Sequence, residues 1–238
     1  MDYVLNSLEW AGMALQVFVV LFLFFGSFRK YALLLTYCIV QLAATVAEIL
    51  LSHEGGREAG RMSPLFIKVY WTDEIVVDSL LFLLVIVLTY RALEGKPQRA
   101  AIGKVLAGVV AIAALAPFVV FYGRPLFKTS WFNGTSQFLN FGAALMNLAL
   151  WTAMLSNKRR DAQLLAVSAG LGVLVTGAAL GYGLRQFTMK GGSARDLANL
   201  FKSLTYVTSM LIWCWAFRPA ARKAGTPPAA VPSPSIQS

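Results

Sequence analysis

Seven long apolar runs, separated by short charged or Gly-, Pro- and Asn-rich stretches, occupy residues 4–25, 31–51, 69–90, 105–122, 136–155, 162–184 and 197–217. A hydrocarbon core about 30 Å thick is crossed by about 20 helical residues rising 1.5 Å each, so every run is of spanning length. In lipid only helices and closed barrels satisfy the backbone, and these runs are continuous rather than alternating. The expected fold class is therefore an all-α membrane protein, a bundle of seven transmembrane helices over residues 1–217. Residues 218–238, rich in Pro, Ala and Ser, hold too few apolar side chains to offset chain entropy and are expected to form a disordered cytoplasmic tail.

Composition agrees with this pattern. Of 238 residues, 58% are hydrophobic and 13% charged, against about 25% charged in a soluble domain. The net charge of +10 would suggest nucleic acid in a soluble chain. Here the basic residues fall between the runs, where they orient the chain and meet anionic headgroups, so no nucleic-acid partner is expected. The loops after the first, third and fifth runs, with the tail, carry twelve Lys and Arg, among them Arg29, Lys30, Arg91 and Lys158; the other face carries eight. Asp2 precedes the first run, positive charge follows it, and no small-residue cleavage site is present. This predicts a retained first helix, the N-terminus outside, the C-terminus cytoplasmic and a multi-pass protein of the plasma (inner) membrane.

Familiar catalytic motifs are missing. His53 is the only histidine, so an HExxH zinc site is excluded, and no GxSxG, P-loop or GxGxxG motif occurs. Cys38 and Cys214 lie inside apolar runs and read as small hydrophobes. The expectation is a protein that is not an enzyme and carries no metal or cofactor.

The informative residues are the polar ones inside the runs, because an ionisable group at membrane depth costs several kcal/mol and needs a partner or a purpose. At helical spacing they fall on single faces. Gln41, Thr45 and Glu48 share one in the second helix, and Trp71, Glu74, Asp78 and Phe82 one in the third. Asn140, Asn147 and Trp151 share one in the fifth, and Lys202, Tyr206, Ser209 and Trp213 one in the seventh. All four helices have an end on the non-cytoplasmic side, which places Glu48, Glu74, Asp78, Asn140, Lys202 and Tyr206 in one outer-half layer as the candidate ligand or proton site. Lys202 is the only basic residue within any run and the expected partner of Glu74 and Asp78; snorkelling to the interface is the alternative. A retinal Schiff base is disfavoured, because Lys202 is shallower than mid-membrane. Asp73 is expected at the headgroups, and Trp131/Phe132 and Trp213/Trp215 as interface anchors. Gly177 and Gly181 form a small-xxx-small pair that serves either close packing inside the bundle or a homodimer face.

Two stretches carry a family resemblance: Leu204-Thr-Tyr-Val-Thr-Ser-Met-Leu-Ile-Trp-Cys-Trp-Ala-Phe-Arg-Pro219, and Tyr70-Trp71 followed by Glu74. Together they resemble a family of small uncharacterised bacterial seven-helix integral membrane proteins. The resemblance implies seven helices and a bacterial inner membrane, and no particular activity. From the residues, the expected function is a non-enzymatic binding or sensory protein with its polar site in the outer half of the bundle. The alternatives are a proton- or solute-coupled transporter, or an accessory subunit held to a membrane-protein partner. Against the transporter, no repeated half and no matched pair of broken helices is present.

Overall fold

The apolar runs become helices in the computed structural model, which describes residues 2–53, 57–58, 61–62, 64–120, 129–155, 161–187 and 192–218. The helices are α1 (Asp2–Gly26), α2 (Ala32–His53), α3 (Pro64–Ala92), α4 (Arg99–Val120), α5 (Thr129–Leu155), α6 (Ala162–Phe187) and α7 (Gly192–Phe217). All seven are long and apolar enough to cross a membrane. The sequence pattern missed one small element. Between α2 and α3, β1 (Arg57–Glu58) and β2 (Arg61–Met62) pair antiparallel, Arg57 opposite Met62 and Glu58 opposite Arg61. The tail beyond Arg218 and the basic cluster at 158–160 lie outside the described residues.

Four helices begin well before their apolar runs. α3 starts at Pro64, α4 at Arg99, α5 at Thr129 and α7 at Gly192. Lysines, arginines, Asn and Gly at these starts interrupt the hydrophobic pattern without breaking the helix, since a first turn at the headgroups tolerates polar side chains.

Six helices close a ring. α1 packs on α2 and α7, α2 on α3, α3 on α5, α5 on α6, and α6 on α7, while α3 also meets α6 across the middle. α4 stands outside, with α3 and α5 as its main neighbours. Leu106, Ala113 and Pro117 form its buried stripe, and Val105, Ile112, Leu115 and Val119 face outward, as suits contact with lipid. Helix pairs in lipid are held mainly by close packing. Gly177 and Gly181 serve it inside the chain: Gly177 lies under Thr205 and Gly181 faces the Lys202 stem and the Ala198 carbonyl, all on α7. The pair is therefore covered in the monomer.

The largest fully buried side chains concentrate in one half of the bundle. Leu23 of α1, Leu34 of α2, Leu84, Val85 and Leu88 of α3, Leu150 of α5, Leu171 of α6, and Trp213 and Phe217 of α7 are fully buried there. All lie toward the face that bears the α1–α2, α3–α4 and α5–α6 connections. Trp213 donates from Nε1 to the Val167 carbonyl at 3.0 Å, and Ser209 Oγ to the Gly170 carbonyl at 2.8 Å, locking α7 to α6. Trp213 is thus core and not an interface anchor, while Trp131, in the first turn of α5 at the opposite end, is buried against Phe118 and Phe132. Trp215 remains exposed, with the Arg218 guanidinium 5.1 Å from its ring centre.

Below the core, the connections are fastened by charge and rings. Lys30 Nζ reaches Asp161 Oδ2 at 2.8 Å. The Asp161 Oδ1 accepts from the Gln163 and Leu164 amides at 3.0 and 3.1 Å, capping α6. Arg91 donates to the Lys30 carbonyl and stacks over the Tyr31 ring. Burial would raise the Asp161 carboxyl, but the Lys30 and backbone hydrogen bonds prevail and hold it below its ordinary value.

Candidate functional site

In the other half, toward the face bearing the N-terminus, the helices splay around a cavity of about 600 Å³. Glu48, Glu74, Asp78, Asn140, Lys202 and Tyr206 all line it. From Tyr70 near the rim to Leu81 at the floor, both lining residues, α3 advances about 16 Å, half of a bilayer core. The cavity is therefore deeper than a single polar layer. α5 begins at Thr129, so Asn140 sits about three turns into its helix rather than about one.

The charged groups occupy two levels. The upper level joins α2, α3 and α7. The Glu48 and Asp73 carboxyls approach one another across the α2–α3 contact, two like-charged groups side by side. Asp73 consequently lines the cavity instead of facing headgroups; one α-helical step from Glu74, it is rotated toward α2. Lys202 Nζ lies 3.8 Å from Glu74 Oε1, a long ion pair whose lysine is 44% exposed and whose glutamate is 11% exposed.

The lower level is reached past Glu74. Asp78 is 8% exposed, and its polar neighbours are Ser136 and Asn140 of α5. Its nearest companions are thus neutral side chains, while the Lys202 ammonium stands with Glu74 above. Asn140, 1% exposed, donates from Nδ2 to the Ser136 carbonyl at 3.0 Å, which fixes the amide and turns its Oδ1 the other way. Asp78 Oδ2, Asn140 Oδ1 and Ser136 Oγ make no direct hydrogen bond.

Beside this level a three-helix clamp closes the floor. Tyr206 of α7 donates to Gln16 Oε1 of α1 at 2.5 Å, and Gln16 Nε2 donates to the Cys38 carbonyl of α2 at 2.8 Å. Tyr206 can reach because its ring lies against Gly12, where a Cβ would stand 2.5 Å from the ring edge. Asn147 and Trp151, on the same face of α5 as Asn140, turn toward Gly172 of α6 and belong to the packing.

Sequence reasoning missed Gln16, Asp73 and Ser136. Gln16 had a legible signal: it is the one amide deep in the first run and lies on the face of Glu9 and Met13, at spacings of three and four, all of which line the cavity. Ser136 was hidden by the Asn and Gly before it, which read as a loop. Among the described residues no group of three His, Cys, Asp or Glu could hold a metal ion, so the carboxylates are spread along the cavity rather than converging. No family model, curated protein or solved structure matches the chain.

Proposed function

We propose that this is a multi-pass binding or sensory membrane protein, without catalytic activity, that admits a small ligand from the face bearing its N-terminus. One observation carries the reading: a deep polar cavity opens toward one face and stops at a packed core. A volume of about 600 Å³ is in the ordinary range of small-molecule sites. The excess of basic residues on the core side supports placing the cavity mouth outside and the core side in the cytoplasm. The resemblance in the third and seventh helices supports a bacterial inner membrane.

A carrier draws support from one feature only, the close approach of the Glu48 and Asp73 carboxyls. It would need a path through the fully buried layer of Leu34, Leu84, Leu171 and Trp213.

Thermal unfolding of the purified chain in lipid nanodiscs, screened against a library of small solutes, tests the proposal. The expected result is a stabilising solute whose effect is lost in Asp78→Asn while the helical spectrum is kept. Accumulation of that solute in proteoliposomes would favour the carrier, and a library with no stabilising member would remove the binding reading.

A further inference from the structure

The cavity's charge and its hydrogen-bonding deficit define what it can hold. Glu9, Glu48, Asp73, Glu74 and Asp78 line it, against one basic residue, Lys202, in a chain whose net charge is +10. The excess of acid is therefore local to this cavity and opposite in sign to the molecule.

The floor is the more selective part. Asp78 Oδ2 and Asn140 Oδ1 are buried, line the cavity and accept no direct hydrogen bond. Both are acceptors, one a carboxylate oxygen and the other the carbonyl oxygen of an amide whose Nδ2 donates to the Ser136 carbonyl. A buried acceptor left unmatched is destabilising, so the site favours a guest that brings donors. The guest must also balance the carboxylates. Trp10, Tyr37, Tyr70 and Tyr206 line the same space and offer ring faces and edges suited to a cation on an apolar stem.

We propose that the cavity binds a small protonated amine, whose ammonium donates to Asp78 and Asn140 at the floor, and that Lys202 is its built-in competitor. This rests on the binding reading above and adds the chemical class to it. The Lys202 ammonium stands at Glu74, on the way to Asp78, in a long and half-exposed pair that an incoming cation can displace. A long pair with a half-exposed lysine is weak, so the lysine is a gate of modest height. An anion would meet five carboxylates, and a neutral alcohol would leave them uncompensated.

Calorimetric titration of the full chain in nanodiscs tests this with n-butylammonium, n-butanol, butyrate and tetramethylammonium as probes. The expected result is binding of n-butylammonium with little or no binding of the other three. Asp78→Asn should weaken it at least about tenfold, the loss expected of a charge-assisted hydrogen bond. Lys202→Met should strengthen it up to about fivefold, by removing a competing cation from a half-exposed pair. Should Asp78→Asn fail to fold, Lys202→Met decides alone, because its half-exposed position tolerates change. Unchanged or weaker amine binding in Lys202→Met overturns the competitor. Tetramethylammonium binding as well as n-butylammonium overturns donation to the floor acceptors. Binding of butyrate or butanol in place of the amine overturns the chemical class and leaves the binding function standing. No amine binding, with neutral or anionic hits in the solute library, does the same; no hit of any charge removes both.

Discussion

Gln16 shows how much a single side chain can hold in this bundle. It is fully buried and bonded to Tyr206 and to the Cys38 carbonyl, so three helices meet at one amide. Gln16→Leu keeps the volume and leaves the Tyr206 hydroxyl without its acceptor. Reversible unfolding in mixed detergent should show a loss of about 1–3 kcal/mol. The ion pair in the same cavity behaves oppositely. Had Lys202 matched a fully buried Asp78, breaking it would have cost about 3–5 kcal/mol. It stands instead 3.8 Å from Glu74 and half in the open. A double-mutant cycle of Glu74→Gln and Lys202→Met should give a coupling below about 1 kcal/mol in the same unfolding assay. A larger coupling would show that the cavity excludes solvent around the pair.

At the scale of helices, spacing and small residues decide what touches what. Gly177 exists under Thr205, so Gly177→Val forces α6 and α7 apart and should destabilise by about 1–3 kcal/mol. Adding Thr205→Ala should recover part of that loss, which thermal unfolding of the three variants will show. Asp161 tests the start of α6. Its folded carboxyl is held below the ordinary value, so its charge stabilises above that value and ceases to do so as pH falls through the folded one. Asp161→Asn keeps the cap and removes the charge. The difference in melting temperature from the parent should be small and steady at neutral pH and begin to fade only below about pH 4, as pH falls toward the lower folded value. The seven helices were legible because lipid demands long uninterrupted apolar runs. Their starts were not, because Trp131-Phe-Asn-Gly134 looks like a turn. It is helical because the first turns of α5 pack Trp131 on Phe118 and stack Phe132 on Trp71, contacts that no local propensity records.

The whole molecule divides into a charged, open half and a packed half with basic connections. Among the described residues the acidic side chains on the packed face are Glu94 and Asp161, while Glu9, Glu48, Asp73, Glu74 and Asp78 stand on the other. The candidate site was legible to the extent that each polar face follows from periodicity within one helix; the division into two levels was not, because it depends on where neighbouring helices begin. Orientation is open to direct measurement with impermeant thiol labelling of intact cells. Gly55→Cys should label from outside, and Lys96→Cys and Ser156→Cys only after the membrane is broken; the reverse would invert the molecule. Lys96 is chosen over its neighbour because Gly95 has φ of 83° and resists a side chain. The closed ring has a further consequence, in time rather than space. α1 packs more extensively on α7 than on α2, so α1, made before the other six helices of this bundle, has its main partner in the one made after them. Until Tyr206 arrives, Gln16 can reach α2 but not its second partner, and the ring stays open on the side where Glu9 waits. The cavity is thus completed only when α7 is made, and a nascent chain arrested before α7 holds the acidic residues without the lysine that accompanies them.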